Sequence, residues 1–170
     1  MTNEDGLATN RPGEEGQKDV DGLPVNYFQH LPVLVTGATG KLGRHLVQDL
    51  LAREARVAIL TRARARARTL WPGAVVDCRE GDLEHPATLG PALEGIALVF
   101  HLASYSPAPD EADIYAAPAH WAVSAEGTRH LVAAAGAAGV RRLVYLSSVK
   151  VMGDAAGAGS QPATEDTVPA

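Results

Sequence analysis

The residues whose spacing most clearly suits a chemical task are three glycines set three apart, Gly37, Gly40 and Gly43. They lie in the run Val33-Leu34-Val35-Thr36-Gly37-Ala38-Thr39-Gly40-Lys41-Leu42-Gly43-Arg44-His45-Leu46. The apolar, β-branched start reads as a buried strand, and the chain after the glycines resumes with helical periodicity. Such a corner suits the pyrophosphate of a dinucleotide. One glycine lets the chain turn, one lets the backbone approach the phosphates, and one lets helix and strand pack closely. The first turn of the helix adds unpaired N–H groups and the positive end of its dipole. An ordinary glycine-rich strand-to-helix turn has the same spelling, so the flanking elements must carry the argument.

A second chemical position lies about 20 residues further on. Sites that prefer NAD place Asp or Glu at the end of the second strand, where it holds the ribose hydroxyls. Here that place is Thr61-Arg62, followed by Arg64, Arg66 and Arg68, with no acid among them. Arg62 is suited to a 2′-phosphate, so the cofactor is NAD or NADP with a slight lean to NADP. The competing reading is a solvated basic helix start.

The elements that must position these residues follow from periodicity. Strands are expected over 33–36, 56–60, 75–78, 96–103 and 142–147, and helices over 41–54, 87–93 and 120–138. In the first helix Leu42, Leu46, Val47, Leu50 and Leu51 share one face. Alternating strands and helices with continuous apolar strands imply an α/β fold, a doubly wound parallel sheet (Rossmann fold) of order 3-2-1-4-5. Ligands on such sheets bind beyond the strand C-termini. The segments after Thr36, Ala103 and Leu146 all reach that edge.

Charge divides the chain. Residues 1–30 hold six acids and two bases, net −4, while residues 31–170 hold fourteen acids and thirteen bases, net −1. The first 30 residues are therefore expected to be a disordered acidic tail, and 31–170 one NAD(P)-binding domain. A nearly neutral domain argues against a nucleic-acid partner. The single cysteine, Cys78, rules out an internal disulfide or cysteine cluster and suits a reducing compartment. With no apolar run of spanning length and no signal-peptide core, a cytoplasmic protein without membrane association is expected.

Five segments in order carry a resemblance: Thr36-Gly37-Ala38-Thr39-Gly40-Lys41-Leu42-Gly43, Gly81-Asp82-Leu83, His101-Leu102-Ala103-Ser104, Glu126-Gly127-Thr128-Arg129-His130-Leu131-Val132, and Arg141 to Gly153 with Ser147-Ser148-Val149-Lys150-Val151-Met152-Gly153. The chain resembles an extended short-chain dehydrogenase/reductase of the NAD-dependent epimerase/dehydratase type, over roughly residues 32–169. That likeness implies hydride transfer on a small-molecule substrate, here a nucleotide sugar. The alternatives are a hydroxysteroid- or flavonoid-type reductase and a non-catalytic nicotinamide-binding module.

By the same resemblance, Thr36, Gly37, Thr39, Gly40, Lys41, Leu42 and Gly43 form the phosphate corner. Asp82 with Leu83 meets the adenine, and Leu102, Ala103 and Ser104 pass the nicotinamide ribose. Ser124 stands where relatives often have Asn. Ser147 and Ser148 follow the fifth strand, with Ser148 bonding the reacting oxygen as the catalytic serine and Met152 replacing a tyrosine. His101 reads as a packed strand residue rather than a catalyst. Dimerisation through the helix over 120–138 is the partner expectation.

The family's Tyr-x-x-x-Lys pair is not found. Four residues beyond Tyr27, Tyr105, Tyr115 and Tyr145 stand Leu31, Pro109, Ala119 and Val149. In relatives the tyrosine follows an acidic, proline-containing loop, which residues 164–170 resemble. The expectation is a partial sequence carrying the cofactor half, with little or no turnover of its own.

Overall fold

The computed structural model describes residues 24, 26–73, 75–105, 118–148 and 164. Five strands, β1 (Pro32–Thr36), β2 (Arg56–Thr61), β3 (Asp77–Glu80), β4 (Leu98–His101) and β5 (Arg142–Tyr145), form one sheet of order β3-β2-β1-β4-β5. All four pairings are parallel, with Val33 opposite Val57 and Leu98, and Phe100 opposite Val144. Between the strands run α1 (Lys41–Ala52), α2 (Arg64–Arg68), a 3-10 turn (Pro86–Thr88) leading into α3 (Leu89–Leu93), and a longer helical rod. That rod comprises α4 (Pro118–His120), a π-helical stretch (Trp121–Glu126) and α5 (Gly127–Ala137).

Side-chain alternation along the strands splits the core into two layers. Val33, Val35, Val57 and Ile59 face α1 and α2, where they meet Val47, Leu50, Ala67 and Trp71. Leu34, Ala58, Leu60 and Val99 face the other way, onto Leu89, Leu93 and Leu131 of α3 and α5. Each fully buried leucine contributes on the order of 1.5–3 kcal/mol. The doubly wound order predicted from the strand–helix alternation is the order found.

Several boundaries differ from expectation, each for a local reason. The third strand lies at 77–80 rather than 75–78, and Val75 is 92% exposed. It is an edge strand, where only Cys78 must face the core, so charged neighbours are tolerated and the apolar pair Val75-Val76 misleads. Arg79 anchors this edge by donating to the carbonyls of Ala92 and Glu94 at the end of α3 (3.0 and 2.7 Å). The first helix stops at Ala52 because Glu54 adopts a left-handed φ of 59°, with Ala55 N–H reaching back to Leu50. That arrangement usually uses glycine, so the chain carries no visible stop there.

Leu42 does not join the buried face of α1 and is 61% exposed. Gly43 is the residue turned inward beside it, since the helix rests on the preceding corner through that position. The fourth strand ends at His101 instead of residue 103, because residues 102–105 leave the ladder. The fifth strand ends at Tyr145 instead of residue 147.

Ordered contacts begin before β1. Residues 26–30, assigned by composition to the tail, form a turn with Tyr27 and Phe28 packed on the α1 side of the core. Tyr27 accepts a hydrogen bond from Arg142 (3.1 Å), and the Arg53 guanidinium lies 5.8 Å from the Phe28 ring centre. Residues 1–23, and with them most of the expected tail, lie outside the described residues. So do Lys150, Met152 and the stretches 106–117, 149–163 and 165–170.

Candidate dinucleotide site

Beyond the C-terminal ends of the paired strands β1 and β4 a cleft of about 690 Å³ opens. Sheets of this order bind their ligands at this point, where successive crossovers leave in opposite directions. The corner after β1 forms the floor. Gly37 has φ of 68°, and a Cβ on it would stand 2.7 Å from the Ala103 nitrogen and 2.7 Å from the Leu102 carbonyl carbon. Only glycine allows β1 and β4 to converge there. A Cβ on Gly43 would overlap the Gly37 carbonyl oxygen and lie 2.6 Å from Ala38 Cα. Gly40 is the N-cap of α1 and borders the cleft, with its N–H bonded to the Gly37 carbonyl (3.0 Å).

The first helical bond of α1 runs from Arg44 N–H to the Gly40 carbonyl (3.1 Å). The amides of Lys41, Leu42 and Gly43 therefore have no acceptor within the helix and face its N-terminal end. As the first residues of a twelve-residue helix, they carry a full dipole end. An anion seated on Gly40 would meet these groups.

On the β2–β3 side the cleft is bounded by Thr61, Arg62, Arg66, Asp82, Leu83 and Glu84, with Arg44 reaching in from α1. Three arginines, one from α1, one from the turn after β2 and one from α2, thus line the same cleft as two carboxylates. The Asp82–Leu83 corner is tightly built. Thr88 Oγ1 accepts the Asp82 N–H (2.9 Å), and Asp82 Oδ1 accepts the Glu84 N–H (3.1 Å). His130 Nδ1 donates to the Leu83 carbonyl (2.9 Å). A Cβ on Gly127 would stand 2.8 Å from Leu83 Cβ, so this glycine lets α5 settle on the corner.

On the β4 side the wall is Leu102, Ala103, Ser104 and Tyr105. Thr36 Oγ1 accepts the Ala103 N–H (3.2 Å), and Ser124 Oγ accepts the Tyr105 N–H (3.0 Å) while pairing with Ser104 Oγ (3.1 Å). His101 lies just beneath, fully buried, with Thr36 Oγ1 2.6 Å from Nδ1 and Thr128 Oγ1 2.9 Å from Nε2. Burial pushes its pKa down to about 4, so the ring is neutral at physiological pH.

Of the residues singled out from sequence, Thr36, Gly37, Thr39, Gly40, Arg62, Asp82, Leu83, Leu102, Ala103 and Ser104 share this one cleft. Gly43 supports it from below, and Ser124 braces its wall. The side chains of Lys41 and Leu42 are exposed at the start of α1 and do not line it. Ser147 and Ser148 follow β5, the strand next to β4, as exposed residues outside the lining. His101 is a packed residue, as its place in an apolar strand suggested.

Sequence reasoning missed Arg44, Arg66 and Tyr105 as lining residues. The two arginines had a signal, since Arg44 lies one helical turn beyond Gly40 and Arg66 four residues beyond Arg62. Tyr105 had none. Among the described residues there is no cluster of side chains able to hold a metal and no helix long and apolar enough to cross a membrane.

The shape fits a dinucleotide. The open amides at the start of α1 suit a pyrophosphate, and the cleft extends from them to either side, toward β2 and toward β4. Comparison with known proteins agrees. Residues 33–170 match the model of the NAD dependent epimerase/dehydratase family. The chain is 36% identical over 125 residues to sterol demethylase protein B of Methylococcus capsulatus, covering 72% of this chain and 36% of that protein. It is 31% identical to the human decarboxylating sterol-4-alpha-carboxylate 3-dehydrogenase, covering 75% and 32%. It therefore spans about a third of the length of these curated relatives.

Among solved structures it is similar to MoeE5 in complex with UDP-glucose and NAD. The TM-score is 0.65 at 30% identity, covering 82% of this chain and 42% of that one. The glycine corner, the parallel order of the sheet and these matches converge on one conclusion: the chain belongs to the NAD-dependent epimerase/dehydratase family of extended short-chain dehydrogenases/reductases.

Proposed function

We propose that residues 31–170 form the NADP-binding portion of an oxidoreductase of this family, which moves hydride to or from a carbon bearing a hydroxyl or carbonyl oxygen. The observation that carries the choice of NADP is that Arg44, Arg62 and Arg66 all line the cleft, while Thr61 at the end of β2 is followed by arginine and not by an acid. A 2′-phosphate there would find charge-assisted donors, each contributing about 1.5–3 kcal/mol, or roughly tenfold to a hundredfold in affinity. Asp82 would accept from the adenine amine, with Leu83 beside it.

The nicotinamide, when bound, supplies the hydride acceptor or donor. The chain's own residues hold and orient it. The amides of Lys41, Leu42 and Gly43 bind the pyrophosphate, and the wall from Leu102 to Tyr105 shapes the space over β4. Ser148, beyond β5, is assigned to the substrate oxygen, and Ser147 stands next to it. No tyrosine among the 170 residues has a lysine four positions on, and coenzyme binding is the property put to the test for this polypeptide.

The substrate is read in two ways. A nucleotide sugar follows from the resemblance and is supported by MoeE5, whose structure holds UDP-glucose with NAD. A hydroxysteroid-type substrate is favoured by the two sterol-acting relatives at 36% and 31% identity.

The test is coenzyme affinity by calorimetry for the chain and for Arg62→Ala. NADPH binding should weaken at least tenfold while NADH binding stays within about twofold. Equal losses for the two coenzymes would remove the phosphate contact and with it the preference for NADP.

A further inference from the structure

The wall from Leu102 to Tyr105 belongs to no helix or strand, yet it bounds the cleft over β4. Its Leu102 N–H still bonds the Thr36 carbonyl (3.3 Å), but residues 103–105 are held by side-chain hydroxyls, and Thr36 and Thr128 behind them meet on one residue, His101. We infer that His101 is a positioning residue for dinucleotide binding: its imidazole, carrying its proton on Nε2, ties Thr36 to Thr128 and thereby fixes the backbone of residues 103–105. The inference rests on the reading that the cleft holds a dinucleotide.

The direction of every bond in this relay is determined by its ends. The Ser124 carbonyl can only accept, so Thr128 Oγ1, 2.7 Å away, donates to it. Having spent its proton there, Thr128 must accept from His101, which places the imidazole proton on Nε2. A neutral ring then offers Nδ1 as an acceptor, and Thr36 Oγ1 donates to it across 2.6 Å. That leaves the Thr36 oxygen to accept the Ala103 N–H, as observed.

The far end returns to the same wall. Thr128 holds the π-helical stretch at Ser124, and the hydroxyl of Ser124 accepts the Tyr105 N–H and meets Ser104. Both ends of a three-residue segment are thus fastened to β1 and to the helical rod through one buried ring. No other neutral side chain both accepts and donates through two rigidly held nitrogens at this separation. The π-helical stretch is consistent with a local demand on the rod, since such turns concentrate near functional sites.

Thr128 separates this role from direct contact, because it does not line the cleft. The experiment measures dissociation constants of the chain, Thr128→Val and Thr128→Ser for two ligands: the tighter-bound of NADH and NADPH, and ADP. ADP spans the corner and the β2 side without reaching the wall over β4. Thr128→Val should weaken the coenzyme about fivefold to tenfold and leave ADP within twofold, while Thr128→Ser restores the coenzyme.

Unchanged coenzyme binding in Thr128→Val, or equal losses for both ligands, overturns the inference. An unmodified chain that binds neither ligand overturns the reading of the cleft itself. Long-range 15N–1H spectra of the unmodified chain give a readout that needs no variant. A proton on Nε2 of His101 is expected, and a proton on Nδ1 refutes the relay.

Discussion

The two sides of the cleft above β1 and β4 are built by opposite means. The corner from Thr36 to Gly43 is shaped by what is missing: a methyl group on Gly37 or Gly43 would strike backbone, so the turn exists only because no side chain is there. The wall from Leu102 to Tyr105 is shaped by what is added, a relay of hydroxyls and one imidazole. Excluded volume is insensitive to pH and tolerates no substitution. Hydrogen bonds can be weakened one at a time, and the imidazole makes them pH-dependent. The difference teaches that one cleft can fail in two distinguishable ways.

The largest expected effect breaks the corner. Gly43→Val forces a branched side chain against Gly37 and Ala38 and should cost at least about 3 kcal/mol, with coenzyme affinity lost. Urea unfolding midpoints and calorimetric titration measure both. A stable variant that still binds coenzyme would show that the corner is not sterically set.

Next comes the pH dependence of the wall. The His101 pKa falls from 6.5 to about 4 on folding, and burial is the cause. Among the described residues the groups around the ring are the Thr36 and Thr128 hydroxyls and the Tyr145 ring, 5.4 Å away centre to centre. Between these two pKa values the unfolded chain binds the proton and the folded chain does not. Stability is therefore full above about pH 6.5 and declines as pH falls toward 4, by up to about 3 kcal/mol for this group. Comparing unfolding free energies of the chain and His101→Gln from pH 7 to 4 isolates the contribution. Parallel curves would mean that the ring is not titrating as a buried neutral group.

Ser124→Ala should be milder. It strips the Tyr105 N–H of its acceptor and costs about 1 kcal/mol in stability, read from the urea midpoint. The smallest effect is expected at the open β2 end, where Arg66→Ala should change stability by less than about 0.5 kcal/mol. The same variant should still weaken NADPH binding severalfold, which distinguishes a ligand contact from a structural one.

How much of this was legible in the sequence varies with how local the cause is. The glycine corner announces itself within fourteen residues, because Gly40 and Gly43 answer neighbours close in the chain, although what Gly37 must clear, the backbone of Leu102 and Ala103, is visible only in the fold. Arg62 was found from its distance to those glycines, whereas the spacing of Arg44 and Arg66 offered a signal that gained its meaning only when the fold set all three on one cleft. The end of α1 was misjudged because Glu54, not glycine, takes the left-handed position. The third strand was placed two residues early because an edge strand needs so few apolar residues.

By itself the sequence determined the alternation of strands and helices, hence the doubly wound sheet and the edge of it at which such sheets take their ligands. Periodicity and glycine spacing are properties of neighbouring residues and survive without a folded context. Only the tertiary structure decided how the cleft's other wall is held. Thr36 and His101 stand 65 residues apart, and His101 and Thr128 stand 27 apart. Nothing in a string of threonines and one histidine says which will meet until β1, β4 and α5 have packed around them.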